Sequence, residues 1–235
     1  MGSVSSIFRL LRGAPPAADA VTASVSPPER IPRRSSGFTE FARAVAEAGE
    51  ESLRVLDLGP TSPANITYLT GLGHKAYNDD ILVASTDPAL VITDEEGNRT
   101  LDVRRFLAEN LNYERGIFDA VLCWDAPDYL PEVLVKPLVE RLHHIMKPGG
   151  VLLGFFHTRD AGPNAPYYRY HIAGRGSGLE LQPVWKSAAA GVPRVPQFRL
   201  QRVYANRHIE NLFRNYNSLK FFLARDFIRE VLAIR

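Results

Sequence analysis

The sequence predicts an α/β protein, with one mostly parallel sheet, helices on both of its faces and antiparallel strands toward the C-terminus. Three observations carry that prediction. Short apolar runs alternate with segments of helical period through the first two thirds of the chain, and strands joined by helical crossovers pair in parallel. The run VLLGFF at 151–156 is apolar without alternation, as a strand covered on both faces requires. Beyond it, extended segments follow one another closely, which suits antiparallel pairing. A length of 235 residues, 45% hydrophobic and 23% charged, fits one globular domain of ordinary composition.

In chain order, residues 1–36 are rich in Ala, Pro, Ser and Arg and lack sustained periodicity. They are expected to form a flexible N-terminal tail, with the folded domain spanning 37–235. Ile7, Phe8, Leu10 and Leu11, beside Arg9 and Arg12, offer one or two amphipathic turns there, enough only for a weak membrane or protein contact. From Gly37 onward Phe38, Phe41, Ala42, Val45 and Ala46 recur at helical spacing. Residues 53–58 read as a short buried strand ending at Gly59. Ser62 then supplies an N-cap and Pro63 a first helical residue, for a helix reaching Gly71 or Gly73.

A second strand is expected over 74–80, and 89–93 is either a further strand or a buried loop before the turn at Glu96-Gly97-Asn98. Val103, Phe106 and Leu107 give 102–110 helical character, and Gly116 precedes a strand at 118–123 with Trp124-Asp125 at its carboxyl end. Leu138, Val139, Leu142 and Ile145 mark one face of a helix within 131–146, which Lys147-Pro148-Gly149-Gly150 stops. After the strand at 151–156, segments 167–172 and 179–184 flank a glycine-rich connection and read as a hairpin. Residues 198–204 read as another strand, Ile209, Leu212, Phe213 and Tyr216 as a helical stripe, and 230–234 as a closing strand. In open α/β sheets ligands bind outside the carboxyl ends of the strands, so Gly59, Asp80 and Trp124-Asp125 should share one rim.

Composition excludes several functions. Lys and Arg number 28 against 26 Asp and Glu, a net charge of +2, so there is no strong nucleic-acid signal. The single Cys123 closes no internal disulfide and builds no multi-thiolate metal site, and His143-His144 diverge on a helix, so no metal is expected. No apolar run reaches the ~20 residues of a membrane span. The expected setting is cytoplasmic.

The stretch 55–65, VLDLGPTSPAN, resembles the first motif of class I S-adenosylmethionine-dependent methyltransferases: a strand ending in Asp-Leu-Gly, then a glycine-containing loop. Asp80 stands 23 positions beyond Asp57, similar to the family's spacing for its ribose-binding acid. Residues 118–125 resemble the fourth-strand motif, and 142–153 the family's helix, turn and fifth strand. The resemblance covers about 38–158 and implies a Rossmann-like methyltransferase fold with S-adenosylmethionine as cofactor and an unidentified methyl acceptor. On that footing Gly59, Pro60, Thr61 and Ser62 would meet the carboxylate of the cofactor with backbone N–H and hydroxyl groups. Asp57 would orient the loop or meet the cofactor's ammonium, Asp80 would accept from the ribose hydroxyls, Glu109 and Asn110 would receive the adenine, and Trp124 would stack near it.

Methyl transfer from a sulfonium asks mainly for alignment, so a base is optional. Asp125 and His157, just past the fourth and fifth strands, are the candidates to contact the acceptor or take its proton. Thr61 and Pro63 stand where the family usually has glycines; a Cβ narrows the loop and proline removes an N–H donor. Two functions therefore remain open: an S-adenosylmethionine-dependent methyltransferase, and a catalytically inactive methyltransferase-like protein that binds or scaffolds. A nicotinamide oxidoreductase is disfavoured, because the loop lacks Gly-x-Gly-x-x-Gly.

Overall fold

The computed structural model describes residues 30–47, 51–174, 176, 178–186, 195–223 and 226–235. The first elements are β1 (Ile31–Arg33), α1 (Ser36–Ala46), β2 (Arg54–Asp57), α2 (Pro63–Gly71), β3 (Lys75–Asn78) and α3 (Ile81–Ala84). There follow β4 (Val91–Thr93), β5 (Arg99–Leu101), α4 (Val103–Asn110), β6 (Phe118–Trp124), α5 (Ala126–Tyr129), α6 (Glu132–Ile145) and β7 (Met146–His157). The chain ends with β8 (Tyr167–Ala173), β9 (Gly178–Val184), α7 (Asn206–Leu212), β10 (Ser218–Leu223) and β11 (Ile228–Ile234).

Polar side chains start several helices, of which the sequence predicts the cap at Ser62. Ser35 Oγ accepts from Phe38 N at 3.0 Å, Ser62 Oγ from Asn65 N at 3.2 Å, and Asp102 from Arg105 N at 2.9 Å, each satisfying an N–H that the first turn leaves free. Pro63 sits at the start of α2, where its missing N–H costs no helical bond. Pro137 falls within α6 and forfeits one.

The main sheet has six strands in the order β10-β11-β7-β6-β2-β3. Its strands β3, β2, β6 and β7 are mutually parallel, and β11 runs antiparallel between β7 and β10. The parallel strands follow the Rossmann-like order, with the reversal between β2 and β6. Alternate residues of β6 divide between two cores. Val121 and Cys123 face α4, α6 and α7, where Phe106, Leu138, Leu142 and Ile209 are buried; Ala120, Leu122 and Trp124 face α1 and α2, where Phe38, Phe41 and Leu69 are buried. Both faces being covered explains the unbroken apolar runs.

A second sheet of three strands, β1-β9-β8, is antiparallel throughout and joins the core on the α2 side. The hairpin expected around the glycine-rich connection is thus present. The expected tail reached residue 36, yet Ile31–Arg33 pairs with β9 and Ser35 caps α1; residues 1–29, including the amphipathic cluster, lie outside the described residues.

Other expectations are corrected. Residues 198–204 form no strand: Gln201 and Arg202 donate their N–H groups to Asp128 O instead of to a ladder. The strand at 74–80 stops at Asn78: Asp79 N makes the last bond to β2, at Asp57 O, and Asp80 then caps α3. Of the two readings of 89–93 the strand holds, over 91–93, paired with β5 in an exposed hairpin outside the main sheet. The strand β10, whose exposed and half-buried residues give a weak pattern, is found only through its pairing with β11.

Candidate functional site

The reversal between β2 and β6 places Asp57 beside Trp124 at the sheet's carboxyl rim. Asp57 is 4% exposed, and its hydrogen bonds are all internal. Its Oδ1 accepts from Gly59 N at 3.0 Å and Trp124 Nε1 at 2.6 Å, and its Oδ2 from Asn65 Nδ2 at 2.8 Å. Burial pushes this carboxyl above its usual range, these donors pull it back, and the charge of Asp80 adds to the rise. Asn78 Nδ2 donates to Asp57 O and Gly59 O at 3.0 and 2.8 Å, while Thr61 Oγ1 donates to Asn78 Oδ1 at 2.5 Å. The Gly59-Pro60-Thr61-Ser62 loop is therefore tied down to β3.

The indole of Trp124 lies directly on this loop. A Cβ built on Gly59 would come within 2.9 Å of Trp124 Cδ1, so only glycine lets the ring approach. Trp124 itself has φ of 50°, the left-handed region that a bulky residue enters at a cost. Its ring is stacked on Tyr170 of β8, centroids 5.0 Å apart and planes 2° from parallel.

Strand β8 engages the remaining groups of the crease. Tyr170 Oη donates to Asp125 Oδ2 at 2.8 Å, and Asn65 Nδ2 donates to Tyr170 O at 3.2 Å. Ile172 N donates to Asn65 Oδ1 at 2.8 Å, and His171 Nδ1 lies 2.8 Å from Ser62 Oγ. The positive charge of Arg169, also on β8, acts on Asp80. What remains among Asp57, Ser62, Asn65 and Asn78 is a void of about 10 Å³, room for roughly one water molecule. The amino-acid end of S-adenosylmethionine needs free loop donors and room at this point. The side chains of Asp57, Asn65 and Asn78 already spend hydrogen bonds within the crease, whereas Thr61 N and Ser62 N have no acceptor among the described residues.

The other predicted positions are distributed unevenly. Asp80 is on the rim, accepting from Val83 N at 3.1 Å as the cap of α3, and burial raises its carboxyl. Glu109 is exposed on α4 and ion-paired with Arg105 at 2.7 Å, and Asn110 Nδ2 donates to Phe106 O of its own helix at 2.8 Å. Neither makes a hydrogen bond to the crease.

Asp125 and His157 do converge, with Asp128 beside them. Asp125 is 2% exposed and its carboxyl is pushed up to about 6, by burial first and by the charge of Asp128, against the opposing pull of His157 and Tyr170. Asp128 Oδ2 accepts from His157 N at 2.5 Å and lies 2.8 Å from His157 Nδ1. Burial alone would lower the His157 imidazole, but the bond to Asp128 and the charges of Asp125, Asp128 and Asp226 raise it. This cluster can hold a proton near neutral pH.

The sequence reading assigns no role to Asn65, Asn78 or Asp128; Tyr170 it names only beside Tyr167, Tyr168 and His171, as groups that could line a substrate pocket or stack on a base, with strand alternation counting against both. Asn65 and Asn78 lie inside or next to the recognised motifs, at positions where a polar side chain heads a buried helix and ends a strand. That Tyr170 meets Trp124 and Asp125 carries no local signal, since these partners lie far away in sequence. Among the described residues no cluster of His, Cys, Asp or Glu is suited to a metal, and no helix is long and apolar enough to cross a membrane.

No protein-family model matches the chain, and no curated protein matches its sequence. Similar solved structures include 1,6-didemethyltoxoflavin-N1-methyltransferase of Burkholderia thailandensis, with 1,6-didemethyltoxoflavin and S-adenosylhomocysteine bound. It is 12% identical, over 85% of this chain and 78% of that one, with a TM-score of 0.43. Others are S-adenosylmethionine-dependent methyltransferases from Mesorhizobium loti (18% identity, 84% of this chain and 98% of that one, TM-score 0.43) and Archaeoglobus fulgidus (10%, 84% and 92%, TM-score 0.46). Likenesses this loose carry no argument about chemistry. The strand order itself, with the antiparallel pair after β7, gives the chain the Rossmann-like fold that its resemblance to class I methyltransferases implies.

Proposed function

We propose that this chain uses a methyltransferase-type fold as a binding module, with the place of the cofactor's amino-acid end filled by its own side chains. The observation that carries this reading is the seating of β8 in the crease, where Tyr170, His171 and Ile172 engage Trp124, Asp125, Ser62 and Asn65. Withdrawing β8 would break several hydrogen bonds worth about 1 kcal/mol each and an aromatic stack worth up to about 1.5 kcal/mol. A total near 5 kcal/mol would leave the open form at roughly one part in several thousand, and apparent affinity falls by that fraction.

A second reading, S-adenosylmethionine-dependent methyl transfer to an unidentified acceptor, is favoured by the placing of Asp57, Gly59, Asp80 and Asp125 along one rim at the strand reversal. It requires β8 to swing clear before the cofactor enters. Calorimetric titration with S-adenosylmethionine and S-adenosylhomocysteine, at up to about 1 mM and alongside thermal-shift assays, separates the two. The binding-module reading expects neither heat nor a shift. Saturable micromolar binding that Asp80→Ala abolishes would overturn it in favour of the enzyme.

A further inference from the structure

A separate cavity of about 280 Å³ lies between the small sheet and the carboxyl end of β7, lined by Tyr170 together with Tyr129, Tyr168, Phe227 and His157 but not by Trp124. Its volume falls just under the ~300–1,000 Å³ of drug-sized sites, so it suits one ring with a short substituent. Aromatic walls favour a planar, apolar body.

Three arginines, Arg33, Arg159 and Arg199, line the same cavity, against the single carboxylate of Asp226. The Arg33 side chain is 4% exposed and ion-paired to Asp226 at 2.6 Å and Glu230 at 2.8 Å. Its Nη1 is nevertheless buried without an acceptor among the described residues. That internal donor is closed off from the cavity, so the cations an incoming anion meets are the outer arginines. Arg159 lies over the Phe227 ring at 3.4 Å and, like Arg199, has no carboxylate within ion-pair distance among the described residues.

Phe227 supplies an independent sign. It has φ of 63°, an unfavourable region for an aromatic residue, and its carbonyl is fixed by Thr158 N at 2.8 Å and Thr158 Oγ1 at 3.0 Å. Strain held in this way is characteristic of ligand clamps. His157 keeps Asp128 as its own partner and so does not neutralise an incoming anion. With Arg33 balanced by Asp226 and Glu230, the charge left at the cavity is that of Arg159 and Arg199.

We propose that this cavity binds a small aryl carboxylic acid, its ring between Tyr129, Tyr168 and Phe227 and its carboxylate accepting from the outer arginines Arg159 and Arg199. The assignment rests on the binding-module reading and names the ligand class of that module. Guanidinium groups match a carboxylate in plane, and the arginines reject a neutral amide of the same shape that cannot offer two acceptors.

The probes are benzoate, 4-hydroxybenzoate and the neutral isostere benzamide, followed by calorimetry and by saturation-transfer NMR on the full chain. Saturable binding of a benzoate, roughly tenfold or more tighter than benzamide, is expected, with a further loss of about tenfold in Arg199→Gln. Arg199 is exposed, so that variant should fold; Lys136→Gln on α6 serves as a remote charge control and should bind unchanged. Equal affinity for benzoate and benzamide, no saturable binding of either acid, or full affinity in Arg199→Gln would overturn the site. Titrating the same preparation with S-adenosylmethionine keeps the two readings apart. Benzoate binding with cofactor silence supports both, benzoate binding with cofactor heat overturns only the binding module, and cofactor silence without acid binding overturns only the aryl-acid site.

Discussion

Asp125 is almost wholly buried, and its ionisation is consequently coupled to stability. In the unfolded chain its carboxyl titrates near ~3.9, whereas in the folded protein it is pushed up to about 6 by burial. A proton held more tightly in the folded state stabilises below the ordinary value, and that stabilisation disappears as pH rises from about 4 through about 6. Two pKa units correspond to about 3 kcal/mol, an upper figure for a group that interacts with His157 and Asp128. The raised carboxyls of Asp57, Asp80 and Asp128 act with the same sign. So does His157, whose raised imidazole stabilises below its ordinary value and ceases to as pH passes its folded one. The midpoint of thermal unfolding should therefore fall between pH 5 and pH 8. Asp125→Asn keeps an acceptor for Tyr170 and removes the charge, so it should raise the midpoint at pH 7 by roughly 5 °C while leaving that at pH 4 unchanged. Differential scanning fluorimetry across that range checks this, and parallel profiles for the two proteins would show that Asp125 does not titrate as described.

At the scale of elements, α2 and β8 are joined through one side chain. Asn65 donates to Asp57 Oδ2 and Tyr170 O and accepts from Ile172 N, so it ties the first helix of the crease to the strand that closes it. Asn65→Ala leaves those buried groups without partners, at about 1–3 kcal/mol for each that water cannot reach. The expected result is a loss of about 3 kcal/mol in urea unfolding, with hydrogen exchange of the Ile172 amide accelerated more than that of β6 amides. Equal acceleration in both strands would mean that Asn65 supports the whole fold and not the closure. The hairpin of β8 and β9 is legible in the sequence, because two extended runs flank a glycine-rich connection. Its seat over the crease is not, since that depends on Tyr170 meeting Trp124 and Asp125 across long stretches of chain. The same limit explains 198–204, where an apolar alternation suggested a strand and Asp128 O captured the N–H groups instead. Asp57 and Gly59 were readable from the strand-to-helix pattern alone; that an indole would lie on Gly59 was readable from neither residue.

Across the whole molecule, the small sheet is fastened to the main one by buried polar groups as well as by apolar contact. Arg33 of β1 pairs with Glu230 of β11, which is wholly buried and also accepts from Gly37 N at 2.6 Å. Opening the small sheet alone would strip a partner from buried charges, a loss of about 3–5 kcal/mol before the Asn65 and Tyr170 bonds are counted. That exceeds half of the lower end of the usual 5–15 kcal/mol for a domain, so the two sheets should unfold together. The chain's two tryptophans report on them separately: Trp124 lies in the crease, and Trp185 follows β9 and bridges to Pro196. In Trp185→Phe the fluorescence comes from Trp124, and its urea midpoint should coincide with that of far-ultraviolet circular dichroism. In Trp124→Phe, which loses the bond to Asp57, the Trp185 signal should move to lower urea and still coincide with the dichroism of the same variant. An earlier Trp185 transition, with the dichroism mostly retained, would mean that β1, β8 and β9 lift off as a unit, and it would reopen the rim at Asp57 and Asp80 to a ligand without unfolding the core.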